Sequence, residues 1–219
     1  MPELRSPQSD PSRAPAAPCA AYTVRRMQPA EAEAVATYHA ECIPHGVLSE
    51  LGTRVLARVY RALNASEDAF IFVGVDARGC VAGFVSGVID VRRMYRRILR
   101  RHWLAFSVAS LRHLFSIRML RRILHTLRYP ARVEGKYPQA ELLSIVVAAE
   151  ARGSGLATAL LDALRAEFRA RGVARFKVMV GAHLERANAY YRKHGFVLAG
   201  EITSHGRPSN IYVADVDAS

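Results

Sequence analysis

Gly153 and Gly155, one residue apart, stand at a junction built to hold an anion. Upstream, Leu142 to Val147 is a short apolar, β-branched run, the pattern of a buried strand. Beyond Leu156 the apolar residues Leu160, Leu161, Leu164 and Phe168 recur at helical spacing, and Gly172 sits where a C-terminal cap belongs. A strand that turns through glycines into a helix presents unpaired N–H groups and the positive end of the helix dipole. Such a turn receives phosphate, and glycine lets the ligand approach the backbone.

Three kinds of phosphate loop compete for this junction. The nucleoside-triphosphate P-loop fails, because no Gly-Lys followed by Ser or Thr stands at the required spacing. The dinucleotide fingerprint lacks its third glycine, where Thr158 stands, and its acid about twenty residues after the first, where the sequence reads Val173-Ala174-Arg175. The third is the coenzyme A loop of the GCN5-related N-acetyltransferases, commonly written Gln/Arg-x-x-Gly-x-Gly/Ala. Arg152-Gly153-Ser154-Gly155-Leu156-Ala157 resembles it position by position. The stretch Glu185 to Phe196, with its Tyr-x-x-x-Gly-Phe ending, resembles the same family's next motif and follows in the right order.

The resemblance implies an α/β chain of the GCN5-related (GNAT) fold, a mixed central sheet of about seven strands with flanking helices. It implies that Arg152 to Ala157 hold acetyl-CoA and that the backbone of Ile145 and Val147 bonds the pantetheine arm and the thioester carbonyl. Tyr191, four residues before Gly195, falls where the family protonates the departing sulfur, and a phenol of pKa about 10 can serve a thiolate near 8.5. Asn188, three residues earlier on the same helical face, is a candidate to bond the pantetheine arm in place of the Asn that many relatives carry where Leu184 stands; a mid-helix Asn that faces water is the alternative. Met179 replaces the catalytic Glu of bacterial ribosomal-protein N-terminal acetyltransferases, which makes protein N-terminal acetylation the second alternative.

Acetyl transfer from a thioester to an amine needs a neutral amine, a site for the developing oxyanion and a proton for the thiolate. Glu141, the only carboxylate of its strand, is a candidate to draw the proton from the amine; a solvated strand-end Glu is the alternative. His45, in the turn Pro44-His45-Gly46, falls where the family lines the acceptor site and titrates near neutrality, with an exposed loop His as the alternative. No metal is expected.

Those residues need elements to place them. Tyr22 to Met27 reads as a first strand, Pro29 to Cys42 as a helix opened by proline and acids, and Ser49 to Ala62 as a second helix. Ala69 to Val75 and Val81 to Ile89 read as a hairpin around Asp76-Ala77-Arg78-Gly79. After the glycine junction come a strand, Arg175 to Val180, a helix, Glu185 to Phe196, and two closing strands, Val197 to Thr203 and Asn210 to Val216.

The chain has 219 residues, 51% of them hydrophobic, enough for one sizeable core, and residues 21–217 are expected to form a single N-acetyltransferase domain. Residues 1–20 carry five prolines and no signal-peptide core, and are expected to be a disordered tail. Cys19, Cys42 and Cys80 are odd in number and far apart, which argues against a disulfide framework or a zinc site and for a cytoplasmic location.

The net charge of +12 belongs to one inserted segment: residues 91–133 hold twelve arginines and no Asp or Glu, while the rest of the chain is balanced. Arg93, Arg96, Arg97 and Arg100 recur at helical spacing beside Leu104, Leu111, Leu114, Phe115 and Leu120, so a helical, arginine-rich insertion is expected. Its least polar part, Trp103 to Ile117, reaches about 22 Å as a helix, short of a hydrocarbon core of roughly 30 Å. The segment is expected to pack on the core or in a homodimer, to bind an anionic acceptor, or to lie peripherally on an anionic membrane. Nucleic acid is not an expected partner, for want of stacking aromatics and a recognised module.

The expected activity is transfer of an acetyl group from acetyl-CoA to a primary amine of a small molecule, by direct attack on the thioester. The arginines make a nucleotide-linked amino sugar a candidate acceptor. The alternative is a catalytically idle binding module that docks on a membrane or a partner through its basic insertion.

Overall fold

A computed structural model describes residues 22–43, 49, 52–94, 96–97, 135–204 and 206–217. The tail, His45 and residues 98–133 of the insertion lie outside the described residues.

The described elements run in chain order β1 (Thr23–Arg26), α1 (Ala32–Cys42), α2 (Thr53–Asn64), β2 (Ala69–Val75), β3 (Val81–Val88), β4 (Glu141–Val147), α3 (Leu156–Ala170), β5 (Arg175–Gly181), α4 (Glu185–Lys193), β6 (Val197–Ser204) and β7 (Arg207–Asp215). They form one seven-stranded mixed sheet in the order β1-β2-β3-β4-β5-β7-β6. Only β4 and β5 are parallel neighbours, joined by α3 as a crossover helix.

Each helix covers the sheet with the stripe its sequence supplies. On one face α3 buries Leu156, Leu160, Leu161, Leu164 and Phe168, and α4 adds Tyr191 beside Phe196. On the other, α1 buries Ala32, Val35 and Ala36, and α2 buries Leu56, Ala57, Tyr60 and Leu63. The last helix stops at Lys193, three residues before the sequence reading. Gly195 takes φ 78, a left-handed conformation; the Phe196 N–H turns back to Tyr191 O at 3.1 Å, and Arg165 donates to His194 O at 2.6 Å.

Two irregularities shape the middle of the sheet. β4 pairs with β5 only at Glu141↔Lys177 and Leu142↔Val178, and beyond Leu142 the two strands part. On its other side β4 stays paired with β3 to Val147↔Gly83, through a bulge at Leu143 that leaves Leu142 opposite Gly87 and Ser144 opposite Ser86. A cleft therefore opens along β4, with its vertex at Leu142.

The insertion begins as helix at residues 91–94 and 96–97. Val91 and Met94 are buried in the α1/α2 layer, and the Val91 N–H bonds Gln139 O at 3.3 Å. Two of its arginines are already engaged: Arg93 and Arg97 each lie 3.4 Å from a carboxylate oxygen of Asp68, a residue 3% exposed. Among the described residues no helix is long and apolar enough to cross a membrane.

Candidate active site

The glycine junction folds as a helix-opening loop. After a short 3-10 turn at Ala149–Ala151, Gly153 adopts φ 81 and Gly155 φ 85, and Gly155 is the N-cap of the fifteen-residue α3. A Cβ built at either glycine meets nothing within 4 Å, so the loop backbone faces open space. Ser154 donates to Ala151 O at 2.7 Å, and the Leu156 N–H donates to Ser154 Oγ at 3.4 Å. No acidic residue lies in the first helical turn, and the first backbone bond into α3 begins at Ala159, 3.1 Å from Gly155 O. This geometry fits the diphosphate of acetyl-CoA: forward-pointing N–H groups, the positive helix end and bare backbone.

Ile145 and Val147 line the cleft that leads from this loop. Ala148 N–H donates to Ala82 O at 2.8 Å, toward β3. Strand alternation then turns the N–H and C=O of Val147 and Ile145 the other way, into the gap where β5 has moved off. Their side chains pack against the α3 layer. An extended, amide-bearing chain such as pantetheine can add to this exposed strand edge as a further strand would.

Tyr191 reaches the same layer from α4. It is 5% exposed, ringed by Phe196 and Tyr212 at centroid distances of 5.1 and 6.3 Å, and among the described residues no hydrogen bond engages its hydroxyl. Burial pushes its phenol well above the usual range, so it stays protonated at physiological pH. Its neighbour Tyr190 packs on His194 at 4.2 Å, and burial raises that phenol to about 12.

Asn188 is placed differently from the sequence expectation. Its amide donates to Gly181 O at 3.0 Å and Leu184 O at 2.7 Å, and its oxygen accepts from Asn210 at 2.8 Å. The N–H donors are spent on Gly181 at the end of β5 and on Leu184 at the N-cap of α4, and the oxygen ties α4 to β7 through Asn210, so no donor is left for a pantetheine carbonyl. The physical reason is burial, which obliges an amide to find partners inside the protein.

Glu141 is no solvated strand-end carboxylate. It is 5% exposed at the cleft's vertex, with Oε2 3.3 Å from Lys177 Nζ, an ion-pair distance without hydrogen-bond alignment. Burial raises its carboxyl above the usual range and Lys177 opposes that shift. Lys177 itself donates to Pro138 O at 2.6 Å. Met179 sits among Tyr137, Ile202 and Ile211.

The sequence reading missed a polar cluster on the α1/α2 face of the same strand. His39 Nδ1 lies 2.6 Å from the Tyr60 hydroxyl, and burial lowers the imidazole pKa to about 4. Burial drives the Tyr60 phenol far above its usual range, partly offset by the neighbouring Ser144 and Ser86 hydroxyls. The available signal was a serine inside each of two largely apolar strands, Ser86 in β3 and Ser144 in β4. Among the described residues no group of three or more His, Cys, Asp or Glu is placed to hold a metal ion.

The fold has known counterparts. The model of the Acetyltransferase (GNAT) family matches residues 33–196. Ard1 from Thermoplasma volcanium superposes with a TM-score of 0.58 at 17% identity, over 89% of this chain and 97% of that one. An acetyltransferase of the GNAT family from Streptococcus pneumoniae gives 0.56 at 16% over 89% and 99%. A mutant of the spermidine N-acetyltransferase SpeG from Vibrio cholerae gives 0.55 at 16% over 89% and 94%. These likenesses are of fold. Among curated proteins nothing matches the sequence.

Proposed function

Because the chain belongs to the Acetyltransferase (GNAT) family, we propose that it moves an acetyl group from acetyl-CoA to the primary amine of a small molecule by direct attack on the thioester. The observation that carries this reading is the parting of β4 from β5 directly below the glycine loop, with the Ile145 and Val147 backbone turned into the gap.

In the proposed step the amine lone pair forms the C–N bond, and the C–S pair leaves as thiolate. The surplus proton on nitrogen passes to the Glu141 carboxylate, whose basicity is raised by burial. The thiolate takes the Tyr191 proton, and both residues reset by exchange with solvent. Carbonyl polarisation falls to the β4 N–H groups in the cleft. Asn188 contributes by fixing α4, and so Tyr191, against the sheet.

A nucleotide-linked amino sugar is the finer form of this reading. It draws on the insertion's remaining arginines and on its entry beside Val91, near Glu141 at the vertex. Faster turnover of phosphorylated amino sugars than of neutral amines supports it, and equal turnover of the two removes it.

Replacement of Tyr191 by Phe tests the central step. Thiol release from acetyl-CoA is expected to fall about a hundredfold while the affinity for acetyl-CoA, measured by calorimetry, stays near its original value. Unchanged turnover would take the proton-donor role from Tyr191. An inactive wild-type chain that still binds acetyl-CoA would favour the idle binding module.

A further inference from the structure

Glu141 and Lys177 meet where the cleft closes, and the way they meet bears on the transfer of the amine's proton. Ala140 and Leu142 belong to the core under α3, so Glu141 between them turns to the opposite face of the sheet. Phe176 and Val178 belong to the same core, so Lys177 turns to the face of Glu141. The two residues are partners in the short parallel pairing of β4 with β5, and their side chains are 6% and 2% exposed. Burial takes both charges out of water, a cost that only their mutual attraction and nearby hydrogen bonds can offset.

Lys177 divides its two interactions. Its ammonium donates to Pro138 O at 2.6 Å, while Glu141 Oε2 lies 3.3 Å away and takes no hydrogen bond from any described residue. The segment that supplies the carbonyl is itself stitched down: Gln139 O accepts from the Val91 N–H at 3.3 Å and Ala140 O from the Lys177 N–H at 3.0 Å. Lys177 therefore gives Pro138 its aligned N–H and Glu141 its charge. The other titratable groups of the surrounding elements are neutral or occupied. In the α1/α2 layer His39 and Tyr60 are bonded to each other at 2.6 Å, and burial keeps both uncharged at pH 7. In the first turn of the insertion Arg93 lies 3.4 Å from Asp68 and 3.9 Å from Asp90, Arg97 lies 3.4 Å from Asp68, and Arg92 is itself engaged. Among the described residues Lys177 is the charged group that acts on Glu141, against the effect of burial.

We propose that Lys177 prepares Glu141 by charge alone: its ammonium keeps the carboxylate ionised at the vertex, while its hydrogen bond goes to Pro138 and leaves the carboxylate open to the amine's proton. Lys177 is a positioning residue that acts through Glu141. A donor bonded to the carboxylate would occupy an oxygen that must accept, and an apolar residue would leave the buried carboxyl protonated and unable to accept. The step balances as a proton transfer. As the C–N bond forms, one N–H bond of the attacking nitrogen breaks, its proton goes to Glu141, and Lys177 keeps its own protons throughout. The inference rests on the acetyltransferase reading.

The full chain is titrated first without substrate. The 13C resonance of the Glu141 carboxyl, identified by its absence from Glu141→Gln, should show an ionised group at pH 7. A protonated group overturns the proposal, and this readout needs neither turnover nor a Lys177 variant that folds. Next, kcat is followed against pH with acetyl-CoA and three probes: spermidine, glucosamine 1-phosphate and a short peptide with a free N-terminus. Lys177→Met keeps an unbranched side chain and removes the charge. The acid limb of its kcat profile should move up by roughly one pH unit or more, with activity recovered at high pH and the affinity for acetyl-CoA near that of wild type. A loss of kcat that is equal at every pH, with the limb unmoved, marks Lys177 as structural only and overturns the proposal. If the wild type turns over none of the probes and does not bind acetyl-CoA, it is the acetyltransferase reading that fails, and this inference falls with it even where Glu141 titrates as expected.

Discussion

His39 is a base that its surroundings forbid to be charged, and this has a consequence for stability. Its pKa is 6.5 in an unfolded chain and about 4 in the fold, because burial penalises the imidazolium. Below pH 6.5 the unfolded chain takes up a proton that the folded one refuses. The contribution of His39 to stability is therefore level above that pH and falls as the pH drops from 6.5 to about 4, by about 3 kcal/mol in all. Denaturant unfolding at a series of pH values should show this slope in the wild type and a shallower one in His39→Gln; equal slopes would refute it. At this scale the sequence showed which residue types were present and left their employment open. Asn188 was read as a ligand contact from its helical face, but its partners Gly181 and Asn210 come from two other elements. Glu141 was read either as the acceptor of the amine's proton or as a solvated strand-end carboxylate, and Lys177, the partner that accompanies its burial, stands on a strand that meets β4 only after a crossover helix.

The glycine loop and the parted strands work as a pair of elements. Gly155 holds φ 85 where a Cβ meets no atom, so Gly155→Ala carries only backbone strain, about 1–2 kcal/mol, and should fold. Gly155→Glu adds a charge at the positive end of α3, where a diphosphate would sit. Acetyl-CoA titrations should show a modest loss for the first variant and loss of detectable binding for the second. Equal binding by Gly155→Glu and wild type would remove the loop from the binding site. The loop was legible because a strand, two glycines and a helical stripe are all local signals. The cleft was not, because it depends on where β5 stops pairing and on the one-residue bulge at Leu143.

For the molecule as a whole, a ligand that bridges the α3 N-terminus and the edge of β4 should tighten both. At one hundred times its dissociation constant acetyl-CoA stabilises by about 2.7 kcal/mol, or roughly 5–10 °C in Tm for a chain of this size. Thermal unfolding with and without acetyl-CoA measures this directly, and no rise would count against binding in the cleft. The net charge of +12 sits outside the balanced fold, and its first arginines serve as anchors: Arg93 and Arg97 clasp Asp68 and bring the insertion's first turn against the α1/α2 layer.

Local pattern determined the order of strands and helices, the glycine loop that opens α3, the position of Tyr191 and the segregation of charge, because each is written in residues close together in the chain. Tertiary structure decided the rest. It set which strand β4 abandons and buried Glu141 beside Lys177. It spent Asn188 on the framework and gathered His39, Tyr60, Ser86 and Ser144 from two helices and two strands. Those outcomes depend on contacts between residues far apart in sequence, where burial leaves each polar group only the partners that packing brings to it.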